Sequence, residues 1–193
     1  MSKRILVING NPDAESYNFG LSDQYVSGAQ EAGGEVETIN IRDLKFNPNL
    51  EFGYRKRVEL EPDLLNALEK IKWADHLVWV FPMWWYGYPA IMKGFIDRLF
   101  LPGITFEYVE GKPLPKGLLK GKTARIILTA DTPSWYNVLF MGSPTIKQFK
   151  KGTLQFCGVK PVKVTYIAPI KGSTESFRKK HLDKVRKLGI EMA

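Results

Sequence analysis

Five short apolar runs rich in β-branched residues alternate with helical patterns along this chain, and that alternation leaves few folds open to it. The runs are Arg4–Asn9, Glu35–Asn40, His76–Phe81, Thr123–Thr129 and Val162–Ile167. The first, third and fourth are almost continuously apolar, which is typical of strands buried on both faces of a sheet. Because strands that alternate with helices form a parallel sheet covered on both faces, we predict an α/β fold of three layers. Its five parallel strands take the order 2-1-3-4-5, within a single domain over residues 1–193.

The sequence also marks the ends of the helical patterns. Gly33-Gly34 closes the first helix, prolines start the second and third, and Ser173 is placed to cap the last. The predicted helices are Asn18–Ala32, Pro62–Trp73, Pro89–Leu101, one or two short helices within about Ser143–Cys157, and Thr174–Ile190. The connections 42–61 and 101–121 have few periodic apolar residues. Since long connections are often functional, we expect them to form pocket walls or a dimer contact.

The predicted strand order places a crevice between strands 1 and 3, whose connections leave on opposite sides of the sheet. Residues 9–18 and 82–89 face this crevice. The second of these loops carries three consecutive aromatic residues, Trp84, Trp85 and Tyr86. Aromatic side chains at the carboxyl end of a parallel strand form the wall of a pocket for a flat ligand.

The loop after the first strand lacks both the Gly-x-Gly-x-x-Gly pattern of dinucleotide-binding folds and the Gly-Lys-Ser/Thr of a Walker A loop. It offers instead Ser16 and Asn18 directly before a helix, where free N–H groups and the helix dipole bind phosphate. A helix cap is the alternative role for Asn18, and this segment alone favours it. The aromatic loop across the crevice favours the phosphate role, and the two loops together predict a site for flavin mononucleotide (FMN).

A third loop, from Thr129 to Tyr136, follows strand 4 beside the same crevice. Its backbone N–H groups and hydroxyls are suited to the polar edge of a flavin, where reduction places negative charge. Tyr136 is a candidate donor. The alternative is that Trp135 and Tyr136 are surface aromatic residues packed on the following helix, and the sequence leaves both interpretations open.

These loops resemble those of the NAD(P)H:quinone oxidoreductase family of flavodoxin-like flavoproteins, which includes modulator-of-drug-activity proteins and ancillary subunits of potassium efflux systems. The resemblance covers most of the chain and is most specific from Phe81 to Arg98, with weaker matches at 11–18, 101–106 and 152–158. It implies a flavodoxin-like fold. It also implies ping-pong hydride transfer from NADPH or NADH, through FMN or FAD, to a quinone or a similar flat acceptor.

The resemblance and the three loops together nominate the site residues. The predicted cofactor-binding residues are Asn11, Ser16, Tyr17, Asn18, Pro82, Met83, Trp84, Trp85, Tyr86, Thr129, Ala130 and Asp131. The catalytic candidates are Trp85, which would pack on the flavin ring, and Tyr136, which would shape the acceptor side. Asn11 stands where many family members have His. Asp131 brings a carboxylate into a loop that is Thr-Thr-Gly-Gly in the best-known members.

A homodimer with the active site near the interface is a further implication of the resemblance. The helix that starts at Pro89 supports it from the residues themselves, because its apolar residues form two rows where a surface helix needs one stripe. The rows are Ile91, Phe95 and Leu99, and Met92, Ile96 and Phe100. We therefore expect one row to face a partner.

The positive charge is concentrated in one half of the chain. Residues 111–193 carry 17 Lys/Arg and 4 Asp/Glu, whereas residues 1–110 carry 11 and 16. A basic half suits anionic partners, although a solvated surface is the simpler interpretation. Two other functions stay open: an electron carrier of the flavodoxin type, and a regulatory subunit docked peripherally on a membrane transporter. Such carriers are usually strongly acidic, which the net charge of +8 argues against, and no nucleic-acid partner is predicted.

The remaining residue types point to an intracellular protein and give no sign of a metal site. One cysteine, Cys157, excludes an internal disulfide and suits a reducing compartment. No signal peptide is recognised, and no apolar run approaches the roughly 20 residues that span a bilayer, so we expect a cytoplasmic protein. No residues have metal-ligand spacing. We interpret His76 as a core or edge histidine and Cys157 as a small hydrophobic residue.

Overall fold

The computed structural model describes residues 2–192, and its centre is a five-stranded parallel sheet. The strands are β1 (Arg4–Asn9), β2 (Glu35–Asn40), β3 (His76–Pro82), β4 (Thr123–Thr129) and β5 (Val162–Ile167). Their order is β2-β1-β3-β4-β5, with parallel pairing throughout. The predicted order 2-1-3-4-5 is therefore confirmed, and four of the five strands have the predicted bounds.

Helices cover both faces of the sheet. They are α1 (Tyr17–Glu31), α2 (Pro62–Trp73), α3 (Ala90–Leu99), α4 (Ser134–Leu139), α5 (Pro144–Ile146) and α6 (Glu175–Ile190). Helix α5 continues directly into a π-helix, Lys147–Gln155. Two predictions were wrong in detail. The third loop was predicted to run to Tyr136, whereas α4 begins at Ser134. Helix α6 is capped by Thr174, which accepts from Phe177 N, rather than by Ser173.

The alternation of side chains along each strand divides the core into two layers. Odd-numbered residues of β1, such as Ile5 and Val7, pack against α1 and α6, whereas Leu6 and Ile8 pack against α2, α3 and the π-helix. Helices α1 and α6 approach so closely that a Cβ added at Gly28 would collide with the carbonyl oxygen of Arg186. Glycine at this position is therefore required by packing.

Most of helix α3 is buried in the protein. Met92, Phe95, Ile96, Leu99 and Phe100 are each at most 6% exposed, and Ile91 packs against the same core. The interpretation that one of its two apolar rows faces a partner was wrong, because both rows pack within the same chain. In the first row Phe95 packs against Phe46 at 6.3 Å between ring centroids, and in the second Phe100 packs against Trp79 at 6.2 Å. Arg98, also on α3, is 1% exposed and binds both oxygens of Glu61 together with the carbonyl oxygens of Asn47 and Glu59.

The two long connections contain little regular structure. The first includes a 3-10 turn, Ile41–Asp43, and the second an antiparallel pair, Phe106–Glu107 with Lys116–Gly117. Within residues 2–192, none of the helices combines the length and the apolar character that crossing a bilayer would require.

Candidate functional site

The carboxyl ends of β1, β3 and β4 meet at one edge of the sheet, and backbone hydrogen bonds hold their loops together there. Gly10 N donates to Val80 O at 2.9 Å, which ties the first loop to β3. Met83 N donates to Thr129 O at 2.7 Å, which ties the aromatic loop to β4. The crevice predicted from the strand order is thus bordered by all three predicted loops.

The first loop is folded by a series of short side-chain hydrogen bonds. The side-chain oxygens of Asn9, Asn11 and Asp13 each accept from the backbone N–H two residues later, at 2.9–3.0 Å. Such bonds replace backbone pairing in turns and hold a loop in one shape. The spacing Asn-x-Asn-x-Asp at residues 9–13 was the sequence signal for this arrangement, and the role of Asn9 was missed.

Asn18 is the centre of the hydrogen bonds that join the first and third loops. Its Oδ1 accepts from Asn11 Nδ2 at 3.2 Å and from Thr129 Oγ1 at 3.1 Å. These two donors fix the orientation of the amide, so Nδ2 is left as the free donor. Nδ2 is buried and has no hydrogen-bond partner among residues 2–192. The alternative that Asn18 caps the helix is therefore wrong.

Ser16 occupies the N-cap position of α1, but its side chain makes no capping hydrogen bond. Its Oγ is buried and, like Asn18 Nδ2, has no partner in the described part of the chain. A buried polar atom without a partner is costly and calls for a ligand or a function. Two such donors stand together where the first N–H groups and the dipole of α1 favour an anion. This set of donors fits a phosphate group.

The aromatic loop reverses direction in a two-residue turn. Trp84 and Gly87 exchange both backbone hydrogen bonds, at 3.0 and 2.8 Å. Between them Trp85 and Tyr86 have φ of 50° and 56°, the positive sign that a type I′ turn requires at both central positions. Bulky residues rarely adopt this conformation. The turn directs the indole of Trp85 fully into solvent and leaves Trp84 half exposed.

Hydrogen bonds to the final strand shape the third loop. Ala130 N donates to Ile167 O at 3.0 Å, and the carboxylate of Asp131 accepts from Lys171 N at 2.7 Å. The Asp131 side chain is thus held by the loop after β5 rather than left free beside the crevice. Tyr166 OH donates to Thr132 O at 2.6 Å. Burial, and then the nearby Tyr86 and Asp131, raise the pKa of Tyr166 to about 12.

Tyr136 lies on α4, at the end of the third loop, and is 39% exposed. Its ring stacks on Phe140 at 5.2 Å between centroids, and Trp135 packs against both rings. Trp135 and Tyr136 are thus surface aromatic residues, as one of the two interpretations held. They lie on helix α4 itself, however, rather than in a loop that packs on it.

Only some of the predicted site residues contact one another. Asn11, Asn18 and Thr129 form one hydrogen-bonded group, and the aromatic turn follows β3, the strand that pairs with β1. Sequence reasoning missed two hydroxyls that hold the loops, those of Tyr166 and Thr145. Neither had a sequence signal, since each acts on a loop distant in the chain.

Two titratable groups outside the crevice, His76 and Cys157, are buried. Burial, with the neighbouring cations Lys3, Arg125 and Lys163, lowers the pKa of His76 to about 3, and its Nδ1 pairs with Thr123 Oγ1 at 2.6 Å. Burial raises the pKa of the Cys157 thiol. Both His76 and Cys157 are buried, as interpreted from the sequence. Across residues 2–192, no three His, Cys, Asp or Glu side chains converge as a metal site would require.

Comparison with known proteins gives consistent matches. A family profile described as flavodoxin-like fold covers residues 3–188. The crystal structure of Smu.1420 from Streptococcus mutans UA159 superposes on this chain with a TM-score of 0.87, and the two sequences are 32% identical. The match covers 97% of this chain and 99% of that chain. An uncharacterized NAD(P)H oxidoreductase of Haemophilus influenzae is 27% identical, over 97% of this chain and 91% of that protein.

NAD(P)H dehydrogenase (quinone) 1 of Cavia porcellus is a longer relative. It is 28% identical over 180 residues, which are 81% of this chain. The match spans 65% of the length of the guinea-pig protein, so about a third of that protein has no counterpart here.

Proposed function

Because the chain belongs to the flavodoxin-like fold family, we propose that it is a flavin-dependent NAD(P)H oxidoreductase that reduces quinones or similar flat acceptors. The observation that carries the proposal is the pair of buried, unpaired donors, Ser16 Oγ and Asn18 Nδ2, at the start of α1. They fit a phosphate, and the aromatic turn across the crevice fits a flat ring. The names of the dehydrogenase and oxidoreductase relatives agree with this reaction.

We propose FMN, or FAD, as the cofactor. Ser16, Asn18 and the first N–H groups of α1 would hold its phosphate, and the backbone from Pro82 to Tyr86 would follow the ring. When bound, the flavin supplies the chemistry, since it accepts a hydride equivalent from NADPH or NADH and passes it to the acceptor. The protein contributes binding, orientation and electrostatics.

The chain's own groups would act mainly by position. The exposed rings of Trp84 and Trp85 would offer aromatic surface to the flavin, and Tyr136 on α4 would shape the acceptor side. The backbone N–H groups of the third loop would stabilise the negative charge that reduction places on the pyrimidine edge. No side chain is required as a nucleophile.

A homodimer in the cytoplasm completes the proposal, and the face that supports it is α4 rather than α3. Trp135, Leu139 and Phe140 are 61%, 74% and 68% exposed, and clustered apolar exposure of this kind marks an interaction site. Sedimentation should show a dimer for the wild-type chain and a monomer for Phe140→Glu. Leu65→Glu is the matched control, at an apolar position that is 49% exposed on α2, and should stay dimeric. If Phe140→Glu were also a dimer, α4 would not be part of the interface.

The visible spectrum of the purified protein tests the proposed reaction. After incubation with FMN, bound flavin bands should bleach with NADPH and return when a benzoquinone is added. A protein that stays colourless with both FMN and FAD would refute the flavin proposal. Bound flavin that NADPH cannot reduce would favour an electron carrier or a regulator instead.

A regulatory role on a membrane transporter is the second candidate, and one surface favours it. Lys179, Lys180, Lys184 and Lys187 are all exposed on α6, and a basic face suits an anionic surface or protein. Normal turnover does not exclude this role, because docking and catalysis would use different faces.

A further inference from the structure

The aromatic turn is a strained element that needs external support. Trp85 and Tyr86 both hold a left-handed backbone conformation, which L-residues with large side chains avoid. The two backbone hydrogen bonds between Trp84 and Gly87 close the turn, but they do not fix its direction relative to the crevice. The hydrogen bond from Met83 N to Thr129 O anchors the loop before the turn, and a contact at the turn itself would fix its direction.

Thr145 supplies that contact from a distant part of the chain. Its Oγ1 donates to the carbonyl oxygen of Tyr86 at 2.5 Å. Thr145 is 1% exposed and is separated from Tyr86 by 59 residues. No other donor within residues 2–192 reaches this carbonyl oxygen. The hydrogen bond of Thr145 is thus the polar link between the turn and the helical layer beneath it.

The segment that carries Thr145 is itself rigid. Ser143 N donates to Asn137 O at 2.8 Å, and Lys147 N donates to Ser143 O at 3.0 Å, so the corner between α4 and α5 is fixed at both ends. Pro144 restricts the backbone before Thr145, and the β-branched side chain of threonine has few rotamers. A hydroxyl held in this way can impose its position on the turn.

We propose that Thr145 is a positioning residue whose hydroxyl fixes the Trp85-Tyr86 turn, and with it the aromatic wall of the crevice. The inference rests on the proposed function, because the ligand of that wall is the proposed flavin. Thr145 would touch no ligand and would act through the backbone of Tyr86.

Two substitutions separate the hydroxyl from the shape of the side chain. Thr145→Val keeps the volume and removes the donor, whereas Thr145→Ser keeps the donor. Thr165→Val is the matched control, because it deletes another buried threonine hydroxyl, one that accepts from Arg125 Nη1 at 3.2 Å on the opposite face of the sheet.

Amide hydrogen exchange of the protein without flavin measures the turn directly. In Thr145→Val, the N–H groups of Trp84 and Gly87 should exchange about tenfold faster, the factor expected for one lost hydrogen bond. Thr145→Ser should stay within about twofold of the wild type, and Thr165→Val should leave these two amides unchanged. Unchanged exchange in Thr145→Val, or equal acceleration in Thr165→Val, would overturn the proposal.

Flavin binding gives a second readout. The FMN dissociation constant should rise about tenfold in Thr145→Val and be restored by Thr145→Ser. If the wild-type chain binds no flavin, the proposed function fails while the exchange experiment still decides the role of Thr145. Faster exchange of the turn with unchanged FMN affinity would show that the turn does not form the flavin wall, and would refute the inference.

Discussion

The Ser16→Ala substitution should weaken FMN binding without lowering the free energy of unfolding. Replacing an N-cap serine by alanine ordinarily destabilises a protein by about 1 kcal/mol. Here the Ser16 side chain makes no capping bond, and its Oγ is buried without a partner. A buried unpaired hydroxyl costs about 1–3 kcal/mol. The variant should therefore be as stable as the wild type or up to about 1 kcal/mol more stable.

The same hydroxyl should be worth much more when the site is filled. A hydrogen bond to a charged phosphate contributes about 1.5–3 kcal/mol, which corresponds to a rise of roughly 10- to 150-fold in the FMN dissociation constant. Urea unfolding of the flavin-free protein and fluorescence titration with FMN measure the two quantities. Thr174→Ala is the matched control, since Thr174 does cap α6 by accepting from Phe177 N at 3.2 Å. It should lose about 1 kcal/mol and keep its FMN affinity. A Ser16→Ala variant that behaves like this control would refute the reasoning.

Three other residues give predictions that each depend on a small set of contacts. Asn18→Asp keeps the acceptor for Asn11 and Thr129 but replaces the free donor by a negative charge. FMN should therefore bind about 100-fold more weakly, whereas the affinity for riboflavin, which lacks the phosphate, should change by less than about threefold. Equal losses of affinity for the two ligands would place Asn18 away from the phosphate. His76 has a folded pKa of about 3, below the ordinary value of 6.5, so its contribution to stability is full above pH 6.5 and falls by about 1.4 kcal/mol per pH unit below it. Urea unfolding at pH 7 and pH 5 should differ by about 2 kcal/mol more in the wild type than in His76→Asn, and equal differences would contradict the assigned pKa. Arg98→Met leaves the carboxylate of Glu61 and two carbonyl oxygens without their donor. The free energy of unfolding, measured with urea, should therefore fall by about 3 kcal/mol. A loss below about 1 kcal/mol would show that water replaces the guanidinium.

The sheet was predictable because burial on both faces leaves a strong local signal. Val78, Trp79 and Val80 are all fully buried, and a short, continuous apolar run rich in β-branched residues is typical of such a strand. The helix at 134–139 was missed for the opposite reason. Its apolar residues point into solvent, so the amphipathic pattern that identifies a helix is absent there.

The sequence nominated the parts of the candidate site but not the contacts that connect them. Ser16 and Asn18 were nominated because they precede a helix, a relation that lies within a few residues. The sequence favoured a cap for Asn18 from this segment alone, and only the contacts with Asn11 and Thr129 decide against it. Likewise, two apolar rows on α3 were interpreted as surplus surface, because the sequence does not show that both rows pack into the core of the same chain.

The sequence by itself determined the layers, the strand order and the three loops that border the crevice, since these follow from hydrophobic period and from the fixed handedness of parallel connections. Tertiary structure alone decided which donors stay unpaired, which aromatic face stays exposed and which hydroxyl holds the turn. Thr145 and Tyr86 are 59 residues apart, and a hydrogen bond between them depends on atomic positions that no local pattern encodes. Local patterns set the elements, whereas unpaired polar atoms and exposed apolar faces are defined only after every element has been packed.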